Sequence, residues 1–182
     1  MATQPQTYPV VLLIEHELSV ADAAQIHGLH EGIDDQVVYH VLLPMEDAAA
    51  GIEAAMGALS AGEVMAAPPV TMTDEDLQAL ARDARERSDH ELADTLDHLR
   101  AAGADAIGTL TTEPAVDALA AKVREVDGRE VIILTQPHLV AEFFHVDWTS
   151  RARRKLGVPV LHLLEHENFD EQAGGGEGIT GV

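Results

Sequence analysis

Short apolar runs alternate along this chain with stretches whose apolar residues repeat at helical spacing. Runs of Val, Ile and Leu, such as VVLLI after Pro9 and VIIL after Glu130, have the length and composition of buried strands. They are apolar at every position, which is typical of parallel strands covered on both faces. Helical segments between them indicate crossover connections. We predict an α/β domain with strands at about residues 9–15, 37–43, 106–112, 130–135 and 158–164.

The longest helical segment is predicted from Thr73 to about Ala102. Thr73 is a strong N-cap, because its side chain can accept a hydrogen bond from a free backbone N–H, and three acidic residues follow it in the positive first turn. Gly103 ends the segment. Leucines and alanines at helical spacing form one apolar face, which a polar stretch from Arg85 to His90 interrupts.

Further helical segments are predicted, including a basic one before Val158. Residues 19–30 are weakly helical, with Ser19 or Asp22 as a possible cap. Residues 46–60 are rich in alanine and compatible with a helix, and the loop predicted at 61–72 contains a Pro-Pro pair that a helix cannot include. After the third strand, Ala115, Leu119 and Val123 share one face of a predicted helix.

The length of 182 residues suits one domain with a sizeable core. We predict an N-terminal tail at 1–8, an α/β domain at 9–167 and a flexible C-terminal tail at 168–182, where three consecutive glycines lie. No apolar run approaches the length of a membrane helix, and the N-terminus lacks the pattern of a signal peptide. The chain has no cysteine, which excludes disulfides and thiolate sites. We therefore expect a cytoplasmic protein without membrane contact.

The charge is strongly negative, with 32 acidic and 11 basic residues and a net charge of −21. Most of such a surface repels polyanions, so we expect no nucleic acid partner. A general adaptation for solubility or high salt explains this acidity more simply than a surface for a basic partner.

The order of these elements resembles the universal stress protein family over about residues 9–165. The resemblance rests on the spacing of several short segments, which are Glu15 at the end of the first strand, HVLLP in the second, AAG at 101–103, EPAVDALAAKV after the third strand, EVIIL in the fourth and VPVLHLL in the last. It implies a Rossmann-like open parallel sheet of five strands, order 3-2-1-4-5, with helices on both faces. It also implies homodimers paired through the last strand.

Nucleotide-binding members of that family carry a glycine motif after the fourth strand. Its glycines let backbone N–H groups approach phosphate oxygens. In the matching alignment Thr135, His138 and Trp148 take the three glycine positions, and Thr149 takes the hydroxyl position. All three glycines are absent, so we expect weak ATP binding or none in the usual mode of the family.

The candidate ligand-binding residues lie where strands end, since ligands bind there in parallel sheets. Glu15 matches an acidic residue that faces the adenosine pocket in the family, although a solvent-exposed strand end is equally consistent with the sequence. The full candidate set is Glu15, His16, Thr135, Gln136, His138 and Thr149. We assign no catalytic residue, no metal ligand and no resident cofactor, with an adenine nucleotide as the alternative.

Other clusters favour structural explanations over chemistry. The triplet EHE occurs at 15–17 and 165–167, but in an extended strand Glu15 and Glu17 share a face and His16 points away. Two further groups have both a functional and a structural interpretation. The first group is His138, His145 and Asp147, which could be an acid–base or metal cluster or simply a polar loop. The second is the basic group at Arg151, Arg153, Arg154 and Lys155, which could bind phosphate or be a solvated helix face.

Aromatic residues concentrate next to the lost glycine motif, at Phe143, Phe144 and Trp148. Apolar plugging of the pocket explains them better than an aromatic ligand site. We therefore favour a regulatory or binding module that acts through a protein partner or a small ligand. The alternatives are an adenine-nucleotide-binding protein with an altered phosphate loop, and an enzyme or metal protein that uses the 135–149 region.

Overall fold

The structure, a computed structural model, describes residues 6–45, 73–135 and 154–165. The elements in chain order are β1 (Thr7–Ile14), α1 (Val20–Gly28), β2 (Gln36–Pro44), α2 (Asp74–Ala101), β3 (Asp105–Thr111), α3 (Ala115–Val126), β4 (Glu130–Thr135) and β5 (Val160–Leu164). All strands are parallel and lie in the order β3-β2-β1-β4-β5. The predicted fold class and strand order are confirmed. The helix and loop predicted at 46–72 lie outside the described residues.

The continuous apolar strands contribute side chains to two hydrophobic cores, one on each face of the sheet. In β1, Val10, Leu12 and Ile14 face the side covered by α1 and α2, whereas Val11 and Leu13 face the side covered by α3. All five are buried. This two-sided burial is why β1 and β4 have no polar position in their middle.

Two strands begin two residues away from the predicted position. β1 starts at Thr7, which pairs with Gln36, so Thr7 and Tyr8 belong to the sheet and not to a tail. The prediction began at Pro9 because the apolar run begins there. β5 starts at Val160 and not at 158, because Gly157 has a left-handed φ of 70° and Pro159 has no N–H to donate.

The helix caps follow the sequence signals. Thr73 and Asp76 form a reciprocal capping box at the start of α2, and Gly103, with φ 96°, follows its end. Ser19 caps α1 by accepting a hydrogen bond from the Asp22 N–H at 3.1 Å. α2 lies close to β3, since a Cβ on Gly108 would be 2.8 Å from Leu92 Cδ1. No helix in the described part of the chain is long and apolar enough to span a bilayer.

Candidate functional site

A cleft of about 220 Å³ opens at the carboxyl ends of β1 and β2. One wall is the loop after β1, the floor includes the end of β2, and the other wall is α2. Parallel sheets bind ligands at this end, beside the point where strand order reverses, which here lies between β1 and β4. The lining residues are Glu15, His16, Pro44, Ala84, Arg87, Ser88 and Glu91.

The wall supplied by α2 comes from the polar middle of that helix. Ala84, Ser88 and Glu91 are spaced by four and three residues, so they share one helix face. That face continues into the buried residues Leu92 and Leu99, which pack against the sheet. Ser88 is 9% exposed although it is polar, because it lies at the base of the wall. The interruption seen in the apolar pattern therefore marks the stretch of α2 that faces the cleft.

The charged groups of the cleft include both signs. Glu15 and Glu91 bring carboxylates, Arg87 brings a guanidinium and His16 an imidazole. Among the described residues, the side chains of His16, Arg87 and Glu91 make no hydrogen bond or ion pair. These three side chains can therefore bind a ligand without first breaking a contact to that part of the protein.

The orientation predicted for His16 is wrong. Alternation in an extended strand would turn it away from Glu15, but both residues line the cleft. The reason is that β1 ends at Ile14, and residues 15 and 16 lie in a bend where strand alternation no longer holds. His16 is exposed and Glu15 is half-buried.

Thr135, the candidate at the end of β4, is buried at 4% exposure and connects two strands. Its hydroxyl lies 2.8 Å from Nε2 of His162 on β5, and its carbonyl accepts a hydrogen bond from the Glu165 N–H at 2.9 Å. Burial lowers the pKa of His162, which favours the neutral ring. The ligand role of Thr135 stays a prediction, and Gln136, His138 and Thr149 lie outside the described residues.

For the metal-binding alternative, the described residues offer no suitable group of ligands. Within residues 6–45, 73–135 and 154–165, no group of three or more His, Asp or Glu side chains could hold a metal ion. The second EHE triplet is described only at Glu165, which is buried. His145, Asp147, Trp148 and the arginines at 151 and 153 lie outside the described residues.

A buried polar network at the opposite, amino end of the sheet was not predicted. His30, after α1, contacts Glu130 Oε1 through Nε2 and lies 2.7 Å from the Tyr39 hydroxyl through Nδ1. The Tyr39 hydroxyl also donates to the Ile26 carbonyl at 3.1 Å. Burial, followed by the nearby Glu130 charge, raises the pKa of Tyr39. No sequence signal identifies this network, since His30 and Glu130 are separated by 100 positions.

Comparison with known structures identifies the fold. The structure of hypothetical protein MJ0577 superposes with a TM-score of 0.57 at 11% identity, over 88% of this chain and 99% of that one. A universal stress protein family protein from Arabidopsis thaliana, with AMP bound, gives 0.51 at 12% identity over 90% and 94%. A universal stress protein from Archaeoglobus fulgidus gives 0.49 at 15% identity over 85% and 92%. No family model and no curated protein matches the sequence. The two superpositions with TM-scores above 0.5 show that this chain has the universal stress protein fold.

Proposed function

We propose that this protein is a universal-stress-protein-like binding or regulatory module whose ligand site is the cleft between the Glu15–His16 loop and α2. The observation that carries this proposal is the position of the cleft, at the carboxyl ends of β1 and β2, where the side chains of His16, Arg87 and Glu91 make no hydrogen bond or ion pair to the described residues. A parallel sheet of this kind places its ligands there. A regulatory role would follow if occupancy of the cleft changed the contacts that the protein makes with a partner.

The volume and chemistry of the cleft favour a small, weakly charged ligand. Its volume of about 220 Å³ is below the roughly 300–1,000 Å³ of pockets for drug-sized ligands. Glu15 and Glu91 can accept hydrogen bonds from amino and hydroxyl groups, and Ser88 can donate or accept. An adenine nucleoside or monophosphate offers such groups, and AMP is bound in the Arabidopsis protein.

A triphosphate suits this site poorly, for three reasons. The lining residues offer one guanidinium, Arg87, against the carboxylates of Glu15 and Glu91. The glycine positions that would let backbone N–H groups approach phosphates are taken by Thr135, His138 and Trp148. The net charge of −21 adds long-range repulsion. ATP binding in the glycine-motif mode is therefore not part of this proposal.

We expect adenosine and AMP to bind more tightly than MgATP by at least about tenfold, a difference of roughly 1.4 kcal/mol in binding free energy. Isothermal titration at physiological ionic strength measures the three dissociation constants directly. Glu15→Ala should weaken adenosine binding about tenfold, because it removes a hydrogen-bonding carboxylate from the cleft wall.

The matched control is Glu86→Ala, since Glu86 is an exposed carboxylate on α2 that does not line the cleft. It should bind adenosine as the wild type does. MgATP binding at micromolar concentration, with adenosine weaker, would show that a phosphate site remains and would contradict the proposal. Equal affinity of the Glu15→Ala and wild-type proteins would place any site elsewhere.

We also propose that the protein forms a homodimer through the open edge of β5. Among the described residues β5 pairs only with β4. The Val131 N–H donates to the Pro159 carbonyl, and the Glu165 N–H donates to Thr135, so the odd-numbered residues of β5 turn their backbone toward β4. The N–H group of Val160, at the start of β5, then faces the open edge. Antiparallel pairing of two copies would satisfy it.

The test is Val160→Pro, which removes an outward N–H and leaves the hydrogen bonds to β4 in place, with Val160→Ala as the control for the lost side chain. Sedimentation should show a dimer for the wild type and the alanine variant and a weaker dimer for the proline variant. Dimerisation should strengthen with salt, because salt screens the repulsion between two copies of charge −21. A wild-type monomer at low and high salt, at tens of micromolar chain, would refute this arrangement.

A further inference from the structure

We infer that Thr95 and His98 of α2 are positioning residues for the cleft, because they fix the loop that carries one wall against the helix that carries the other. This inference rests on the proposed function. Neither residue touches the cleft itself. Their effect on a ligand would pass through the loop of residues 15–19, which supplies Glu15 and His16.

The residues of α2 that line the cleft and those that hold the loop lie on one face of the helix. Ala84, Ser88, Glu91, Thr95 and His98 follow one another at spacings of four, three, four and three residues, so they lie along a single face of α2. The first three line the cleft. The last two contact the loop after β1. A rigid helix therefore sets the distance between its own wall and the wall formed by the loop.

The contact consists of two hydrogen bonds to one residue. The Leu18 N–H donates to Thr95 Oγ1 at 3.0 Å, and His98 donates from Nδ1 to the Leu18 carbonyl at 2.6 Å. A carbonyl oxygen can only accept, so Nδ1 of His98 must carry a proton. Thr95 is fully buried and Leu18 is 1% exposed, so these groups have no water to replace a lost partner. The Glu17 carboxylate lies 3.9 Å from the same His98 nitrogen.

Leu18 is the last residue of a short loop whose ends are fixed. The hydrogen-bonded strand β1 ends at Ile14, and Ser19 caps α1. Residues 15 to 18 lie between these points, and Leu18 is held through both its backbone N–H and its carbonyl. Binding sites lose affinity when a contacting group moves by more than about 0.5 Å. Loss of the Leu18 contacts would allow Glu15 to move relative to Ser88 and Glu91.

The experiment compares disruptive and conservative changes at both positions. Thr95→Val keeps the shape of the side chain and removes the hydroxyl that accepts from Leu18, whereas Thr95→Ser keeps that hydroxyl. His98→Leu removes the donor, whereas His98→Asn places an N–H close to the position of Nδ1. Titration with adenosine and AMP should give a loss of about tenfold for the valine and leucine variants, and less than about threefold for the serine and asparagine variants.

A general loss of stability is separated from positioning by Ile133→Val, a core substitution in β4 on the face of the sheet opposite to Leu18. This variant should lower the melting temperature yet bind adenosine and AMP with wild-type affinity. If Thr95→Val does not fold, His98→Leu carries the test, because the His98 side chain is 29% exposed. Wild-type affinity in folded Thr95→Val and His98→Leu would overturn this inference alone. A wild-type protein that binds neither adenosine nor AMP would overturn the proposed function together with the inference.

Discussion

Replacement of Glu130 by alanine is expected to lower the free energy of unfolding by about 3 kcal/mol. The Glu130 carboxylate is the partner of His30 Nε2, and the His30 side chain is only 4% exposed. Alanine would leave that ring nitrogen buried without its partner. Urea denaturation would measure the loss, and a chain of this size should melt roughly 6–12 °C lower.

Two variants separate the hydrogen bond from the bulk of the side chain. Glu130→Gln keeps an oxygen that can accept from His30, so it should lose less than half as much stability. The double variant His30→Leu with Glu130→Leu should lose less than the sum of its single changes, because neither partner is left alone. Tyr39 keeps its bond to the Ile26 carbonyl in that variant. Equal losses for Glu130→Ala and Glu130→Gln would show that the contact contributes little.

The fold could be predicted because its signals are local. A strand covered on both faces must be apolar at every position, so β1 and β4 stand out as unbroken runs of Val, Ile and Leu. Thr73 and Gly103 mark the ends of α2 through short-range capping. The strand order did not come from these patterns but from the resemblance to universal stress proteins, because periodicity does not say which strands are neighbours.

The candidate site was predicted only in part, for a physical reason. Glu15 and His16 could be named because strand ends in parallel sheets face ligands. Arg87, Ser88 and Glu91 were missed because they lie some 70 residues further along, in a helix stretch that looked only like a gap in an apolar face. Thr95 and His98 were missed as well, since their partner is the backbone of Leu18. A backbone group leaves no trace in a side-chain pattern.

Replacement of Val160 by glutamate is expected to unfold the domain and not merely to separate a dimer. A homodimer paired through the last strand would be expected to expose Val160 and Leu163 in the single chain, but they are 9% and 1% exposed. Val160 packs in the core under α3 together with Val131 and Ile133. A carboxylate there would have no partner in that apolar cluster, at a cost of several kcal/mol. That is a large share of the roughly 5–15 kcal/mol that stabilises a domain.

The matched control for this change is Val20→Glu, the same substitution at a residue that is 62% exposed. Val20 is the first residue of α1, where a negative charge interacts favourably with the helix dipole, so its stability should stay within about 0.5 kcal/mol of wild type. Far-UV circular dichroism and urea denaturation would compare the two variants. If Val160→Glu unfolded at the same urea concentration as the wild type, Val160 would have to face outward. In that case β5 would present its side chains, as well as its backbone, to a second copy.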